Sequence, residues 1–196
     1  MKKTSKIARE WLDKKAEHFL QDLGLGKGQK VLDFGCGEGR YTIPAAYVVG
    51  DRGTIFAMDR EGDYVTKTIW KARRLSLENI VGIIPSGERT VPLSSNNVNA
   101  VILFDTFHGG YFPERKDREL ILKGLFRVLR KKGMLHVYPT HLKSHGMTFR
   151  GLVGEIEQNG FHLVKERSRK LLHGDTLVRG RIFTFRKSLT GNGSLS

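Results

Sequence analysis

The residues whose types and spacing could bind a ligand lie together between positions 30 and 40, which read K-V-L-D-F-G-C-G-E-G-R. Glycines 35, 37 and 39 follow a short apolar run that ends in Asp33. Glycine adopts backbone conformations that are closed to residues with a Cβ, and it lets a ligand lie against the main chain. A strand that breaks into such a turn before a helix also points a helix N-terminus at that ligand. The stretch therefore predicts a nucleotide-binding turn.

The spacing of the glycines separates two classes of nucleotide turn. The dinucleotide fingerprint G-x-G-x-x-G would need its third glycine at position 40, where this sequence has Arg40. The pattern from Asp33 to Gly39, D-x-G-x-G-x-G, instead resembles motif I of the class I S-adenosylmethionine-dependent methyltransferases. We therefore expect S-adenosyl-L-methionine as the cofactor.

Two further features carry this resemblance over about residues 29 to 140. In the family an acidic residue at the end of the second strand binds the ribose hydroxyls of the cofactor, and Asp59 ends the second strand here. The stretch R-V-L-R-K-K-G, 127 to 133, is similar to the R-V-L helix and K-P-G-G of the ubiquinone and menaquinone biosynthesis type. The resemblance implies cofactor contacts from Asp33, Gly35, Cys36, Gly37, Gly39, Asp59, Arg60, Gly87, Glu88 and Phe104.

One position departs from the pattern of that family. Many relatives carry an aspartate that contacts the adenine amino group shortly before a Leu-Pro dipeptide. Counting back from Val91-Pro92, this sequence has Gly87 there, flanked by Ser86 and Glu88. Either a backbone group or one of these two neighbouring side chains replaces the aspartate, or adenine recognition is weaker.

Methyl transfer from a sulfonium is an in-line displacement, in which positioning supplies much of the catalysis. An acceptor hydroxyl or protonated amine must nevertheless lose a proton to a base. Asp105 and His108 follow the strand predicted beside the first, and we predict them as catalytic; Tyr138 and His141 lie at the exit of the next strand. The alternatives are that Asp105 only orders its loop and that His108 only caps or lines the pocket.

The absence of certain motifs narrows the class of molecule that can accept the methyl group. The sequence after the fourth strand is Asp105-Thr106-Phe107-His108, not the Asn/Asp-Pro-Pro-aromatic motif of enzymes that methylate exocyclic or amide nitrogens. The single cysteine, Cys36, lies in the cofactor turn, so a thiolate for cytosine C5 methylation and the cysteine set of arsenite methyltransferases are missing. We predict no metal site. The expected reaction is methyl transfer to an O or N of a small or medium-sized acceptor.

The elements that position these residues alternate between strands and helices. An amphipathic helix over 5 to 23 precedes the first strand, and residues 40–49, 63–75, about 113–133 and 147–159 read as helices. Strands are predicted at 54–58, 80–84, 98–104, 134–138, about 161–167 and 180–186. This order predicts a single α/β Rossmann-like domain: a doubly wound, mainly parallel seven-stranded sheet with an antiparallel last strand and an N-terminal helix.

Length and charge bound the remaining expectations. We expect one methyltransferase domain over residues 1–188 and a polar, disordered tail over 189–196. One cysteine and the lack of an apolar leader or span favour a cytoplasmic protein without a membrane partner. The net charge of +14 suits a polyanionic partner, so a methyltransferase that acts on tRNA or rRNA is one alternative. A non-catalytic cofactor-binding or regulatory protein is the other alternative, and a small-molecule acceptor is favoured.

Overall fold

A computed structural model describes residues 5–87 and 89–188, apart from the side chain of Lys14. Two sequence predictions lie outside the described residues: the cofactor contact from Glu88 and the tail over 189–196. Within the described ranges, no helix has the length and apolar character that crossing a membrane requires.

The described chain contains six α-helices, one 3-10 helix and seven strands. The helices are α1 (Lys6–Lys14), α2 (Ala16–Asp22), α3 (Thr42–Val49), α4 (Gly62–Arg74), α5 (Arg115–Val128) and α6 (Phe149–Gln158), with the 3-10 helix at Lys143–His145. The strands are β1 (Lys30–Phe34), β2 (Thr54–Met58), β3 (Ile80–Ile83), β4 (Val98–Phe104), β5 (Leu129–Tyr138), β6 (Phe161–His173) and β7 (Thr176–Lys187).

The seven strands form one sheet in the order β3-β2-β1-β4-β5-β7-β6. The pairs from β3 to β5 are parallel, whereas β7 is antiparallel to both β5 and β6. The predicted fold class is confirmed. Because β1, β2, β4 and β5 are parallel neighbours, their carboxyl ends meet at one edge, where ligands bind in sheets of this kind.

The sheet is covered on both faces, and β4 shows why. Along this strand Val101 and Leu103 belong to the core layer that includes α5 and α6. The alternate residues Ala100, Ile102 and Phe104 belong to the layer formed with α1, α2 and α3. Side chains of a strand point alternately to opposite faces, so the continuous apolar run of β4 fits a strand buried on both sides.

The N-terminal segment differs from the single helix predicted over 5 to 23. The Ser5 hydroxyl accepts a hydrogen bond from Ala8 N at 3.1 Å and caps α1. The helix is interrupted at Lys15, and α2 begins at the next residue. The break lets rings from both helices pack on Tyr41, with centroid distances of 5.6 Å for Trp11 and 6.3 Å for Phe19. Tertiary packing of aromatic rings therefore overrides the continuous helical pattern.

Two other element boundaries differ from the prediction. Helix α5 ends at Val128 rather than near Gly133, and β5 begins at once with Leu129 in extended backbone. A Cβ at Gly133 would lie 2.8 Å from the Arg130 carbonyl oxygen, so this glycine serves a close backbone contact and does not end the helix. Strands β6 and β7 extend as paired strands to a tight turn between His173 and Thr176.

The tip of this β6–β7 hairpin is anchored to the N-terminal layer. Leu171 and Leu172 are buried there with Trp11 and Tyr41. Beyond them, the Asp175 carbonyl accepts a hydrogen bond from the Ser5 hydroxyl at 2.7 Å. The hairpin thereby reaches the sheet edge that carries the glycine turn.

Candidate cofactor and acceptor site

The glycine turn is tied to the end of β2. Gly35 N and Cys36 N both donate to the Met58 carbonyl, at 2.7 and 3.0 Å. Gly37 N donates to Asp59 Oδ2 at 2.9 Å. These three bonds bring the turn after β1 and the acidic residue after β2 together, as the sequence predicted.

The three glycines of the turn meet different surroundings, and all have positive φ. A Cβ at Gly35 would overlap Thr106 Cγ2, and one at Gly39 would lie 2.9 Å from Thr68. A Cβ at Gly37 would meet nothing within 4 Å. The outer glycines therefore permit close packing, whereas Gly37 exposes main chain to open space where a ligand can approach.

Asp59 has acceptor capacity left for such a ligand. Its Oδ2 accepts from Gly37 N, and its Oδ1 accepts from Glu61 N at 3.0 Å. A carboxylate has about four lone-pair sites, so both oxygens can accept a further bond. The neighbouring Arg60 guanidinium lies over the Tyr111 ring, 5.2 Å from its centroid.

Asp33 and Cys36 lie beneath the turn rather than on its open side. Asp33 is 3% exposed and its Oδ2 accepts from the Thr42 hydroxyl at 2.6 Å. Burial, with a smaller contribution from the Asp59 charge, raises the pKa of Asp33 from 3.8 to about 6 despite the Thr42 bond. Burial also raises the pKa of the Cys36 thiol, so a thiolate nucleophile is disfavoured there.

The region after β3 is the expected adenine side. The Gly87 carbonyl accepts from Thr90 N at 3.1 Å and from the Thr90 hydroxyl at 2.8 Å. Ile84, just before it, is 58% exposed. Tyr111, on the loop after β4, has a pKa raised by burial and also by the charges of Asp105 and Asp59. Exposed apolar and aromatic side chains thus lie near this edge, where a base could pack.

Phe104, by contrast, is in the core. It is 5% exposed and packs edge-on against Tyr41 at 4.9 Å and Tyr138 at 6.1 Å between ring centroids. Its side chain therefore supports the floor of the site, and its role as a cofactor contact stays a prediction.

Three polar side chains meet where β4, β5 and the hairpin tip converge. His173 Nδ1 lies 2.8 Å from Asp105 Oδ2, and His173 Nε2 lies 3.1 Å from His141 Nε2. Asp105 and His141 were placed at neighbouring strand exits by sequence reasoning. His173 was missed, because it lies in a segment read as a connection between two shorter strands.

His108 has a different environment. Its ring is buried, its Nδ1 accepts from Gly110 N at 3.0 Å, and it stacks on His145 with 5.0 Å between centroids. Burial lowers its pKa to about 4, assisted by His145 and His141. This histidine is neutral at pH 7 and a weak base, so its catalytic role stays a prediction that the geometry does not favour.

A cavity of about 490 Å³ adjoins the convergence point. Its wall combines an aromatic ring, Phe149, with His141, His173 and basic residues of β7, Arg179 and Arg181. Ligand pockets in proteins have volumes of about 300–1,000 Å³. The cavity could therefore hold a small or medium-sized molecule beside His141 and His173.

Comparison with known proteins places this site in a family. The family model described as a methyltransferase domain matches residues 25–169, so the chain belongs to that family. The fold, the glycine turn and the acidic residue after β2 are those expected of its class I, S-adenosylmethionine-dependent members.

Particular relatives extend the comparison. The chain is 29% identical to a probable cobalt-precorrin-6B C(15)-methyltransferase (decarboxylating) of Saccharolobus solfataricus, over 72% of this chain and 66% of that protein. It is 28% identical to a demethylmenaquinone methyltransferase of Staphylococcus aureus, over 59% of this chain and 45% of that protein. The chain thus spans 66% of the first relative's length and 45% of the second's.

A solved structure shows the same fold. The crystal structure of a SAM-dependent methyltransferase from Aquifex aeolicus aligns with a TM-score of 0.72 at 21% identity, covering 95% of this chain and 99% of that one.

Proposed function

We propose that this protein is an S-adenosylmethionine-dependent methyltransferase that acts on an O or N of a small or medium-sized acceptor. The observation that carries the proposal is Gly37, whose Cβ position faces open space while its N–H holds the Asp59 carboxylate. Family membership over residues 25–169 supports the same activity. The cofactor, when bound, supplies an electrophilic methyl group on a sulfonium sulfur.

The residues present fit that cofactor. The free acceptor sites of Asp59 suit the two ribose hydroxyls, which would form charge-assisted hydrogen bonds. The open face at Gly37 allows close approach to main chain. Asp33 is held beneath the turn by Thr42, where its charge favours a cationic ligand group.

The acceptor class follows from the cavity and the groups at its edge. The volume of about 490 Å³ suits a small or medium-sized molecule. Three side chains that can accept a proton, Asp105, His141 and His173, lie together at the edge of this cavity. A group that can take up a proton is needed for acceptor hydroxyls or protonated amines, which supports O or N as the methylated atom.

The proposal is tested by methyl transfer from radiolabelled S-adenosylmethionine into cell extract that is fractionated into RNA, protein and small molecules. We expect label in the small-molecule fraction with the wild type and none with Asp59→Ala. Identification of the product then establishes whether the methyl is on O, N or C. Label confined to RNA or protein, or a methyl on carbon, would contradict the proposed acceptor class.

An RNA acceptor is the second candidate, favoured by charge. The net charge is +14, and exposed basic side chains line the hairpin, among them Lys165, Arg169, Lys170 and Arg179. If this surface binds RNA, affinity for tRNA or rRNA should fall steeply with salt. An RNA affinity that does not change between low and moderate salt would exclude this basic surface as the RNA-binding face. Cofactor binding without transfer to any fraction would favour the non-catalytic alternative.

A further inference from the structure

We propose that Asp105, His141 and His173 bind one divalent transition-metal ion, with zinc as the best match. Each of the three offers one ligand atom, and these atoms lie within 4.8 Å of one another. The site combines the ends of β4 and β5 with the tip of the β6–β7 hairpin. The sequence predicted no metal site. Asp105 and His141 follow neighbouring strands, but His173 lies in a segment that was read as a connection between two strands.

The two imidazoles are already at chelating distance. His141 Nε2 and His173 Nε2 lie 3.1 Å apart. Zinc–nitrogen bonds of about 2.0–2.1 Å in tetrahedral geometry place two ligand nitrogens roughly 3.3–3.4 Å apart. Only a small outward shift of the rings is therefore needed to admit an ion between these two nitrogens. Asp105 Oδ2 lies 2.8 Å from Nδ1, the other ring nitrogen of His173, so the carboxylate must turn toward the Nε2 side to become the third ligand.

Unpartnered polar atoms surround the same point. Asp105 Oδ1, Tyr138 Oη and Thr140 Oγ1 are buried and have no hydrogen-bond partner among the described residues. Buried polar atoms in folded proteins are nearly always paired, and exceptions call for a water or an ion. Three such atoms, on residues where β4 and β5 end, indicate that a polar ligand binds at this position.

The main chain is also held in unusual conformations at two of the proposed ligands. Asp105 has φ +57° and His141 has φ +55°, and neither is a glycine. The left-handed region costs roughly 1–2 kcal/mol for such residues. Asp105 N donates to the Tyr138 carbonyl at 2.8 Å, which fixes the β4 exit against β5. Both side chains are thereby directed by a rigid edge of the sheet.

His173 is held in place by the hairpin tip. Leu171 and Leu172 are buried in the N-terminal layer, and Asp175 lies 3.1 Å from Arg40 as an ion pair. A third ligand brought in by a buried hairpin is preorganised, since its position does not depend on the metal. This anchoring also explains why the paired strands continue far beyond the length needed to complete the sheet.

The donor set selects the ion and indicates its role. Two imidazoles and a carboxylate suit zinc or another borderline divalent cation, whereas magnesium prefers oxygen ligands. Three protein ligands leave a coordination position open in catalytic zinc sites. Because the adjoining cavity is lined by His141 and His173, that position would take an acceptor oxygen, nitrogen or sulfur. This last statement rests on the proposed function, whereas metal binding does not.

The test is calorimetric titration of the metal-stripped, tag-free chain with zinc chloride, and separately with magnesium chloride. We expect one zinc ion per chain and no magnesium binding. His141→Ala and His173→Ala should abolish saturable zinc binding, and Asp105→Asn should weaken it by about 10- to 100-fold. The control is His162→Ala, an exposed histidine of β6 outside the cluster, which should bind zinc as the wild type does.

Cobalt substitution of the wild type avoids dependence on variants that fail to fold. Bound Co²⁺ should give the intense visible bands of a four-coordinate ion, and a small thiol should shift them by filling the open position. Absence of saturable zinc binding, a weak spectrum of hydrated Co²⁺, or an equal loss of zinc affinity in His162→Ala would overturn the proposal. Zinc binding retained by a protein that does not bind S-adenosylhomocysteine would support the metal site and contradict only the proposed function.

Discussion

Replacement of Asp33 by asparagine should stabilise the ligand-free protein at neutral pH. The carboxyl is 3% exposed, and burial raises its pKa from 3.8 to about 6. Because the folded pKa lies above the unfolded value, this group favours folding fully below about pH 4, and that contribution is lost as the pH rises through about 6. At about 1.4 kcal/mol for each pKa unit, the ionised form costs about 3 kcal/mol.

The asparagine side chain would retain an oxygen for the Thr42 hydroxyl, which lies 2.6 Å from Asp33 Oδ2, and would remove the buried charge. We therefore expect Asp33→Asn to raise the free energy of unfolding by about 1–3 kcal/mol at pH 7.5 and by little at pH 4. Urea unfolding of both proteins at the two pH values measures this. The matched control is Asp51→Asn, at an exposed carboxyl in the turn before β2.

The same substitution should weaken S-adenosylhomocysteine binding, since the charge beneath the glycine turn is lost. Stability and ligand affinity would then change in opposite directions, as expected where a strained group serves a site. A variant less stable than the wild type at pH 7.5, or a difference in stability independent of pH, would refute the reasoning.

Four further substitutions test the site and the residues that support it. Gly35→Ala should lower the free energy of unfolding by about 3 kcal/mol, because the added Cβ overlaps Thr106 and the backbone has positive φ. Gly37→Ala should lower it by only about 1 kcal/mol but abolish ligand binding, because its Cβ enters the open space at the turn. Urea unfolding measures the first difference, and calorimetric titration with S-adenosylhomocysteine measures the second. Two guanidinium nitrogens of Arg118 hold the Glu155 carboxylate at 2.8 Å. Arg118→Ala should lower the free energy of unfolding by about 3–5 kcal/mol, because it leaves that carboxylate without its partner. A change near zero in urea unfolding would contradict this. His136→Leu should lessen the loss of stability on acidification. Burial lowers the pKa of this histidine from 6.5 to about 4, so the stability that the neutral imidazole contributes is lost as the pH falls through that range. Equal acid sensitivity of variant and wild type in thermal unfolding would argue against this.

Local patterns predicted the cofactor side of the site. The glycine spacing and Asp59 are short-range signals, because each follows a strand directly and the strands are neighbours. The apolar run of β4 likewise predicted a central strand, and its exit predicted the position of Asp105. These features depend only on backbone rules and on the parallel order of the sheet.

The rest of the proposed acceptor side could not be predicted, because tertiary packing creates it. The segment R-S-R-K-L-L-H, 167 to 173, has no strict alternation of apolar and polar residues. Its pairing with β7, together with burial of Leu171 and Leu172 in the N-terminal layer, carries β6 on to His173. The break at Lys15 has the same origin, since the ring packing around Tyr41 requires two helices. Adenine recognition is a third case: Gly87 offers a carbonyl already bonded to Thr90, and no sequence pattern indicates a substitute for the missing aspartate.

Calorimetric titration with S-adenosylhomocysteine tests the central claim most directly. We expect the wild type to bind one molecule per chain and Asp59→Ala to bind at least about 100-fold more weakly, because bonds to a charged group contribute about 1.5–3 kcal/mol each and two are lost. Asp51→Ala, at an exposed turn carboxylate, should bind as the wild type does. No binding by the wild type, or equal binding by Asp59→Ala, would contradict the assignment of the glycine turn and Asp59 as the cofactor site.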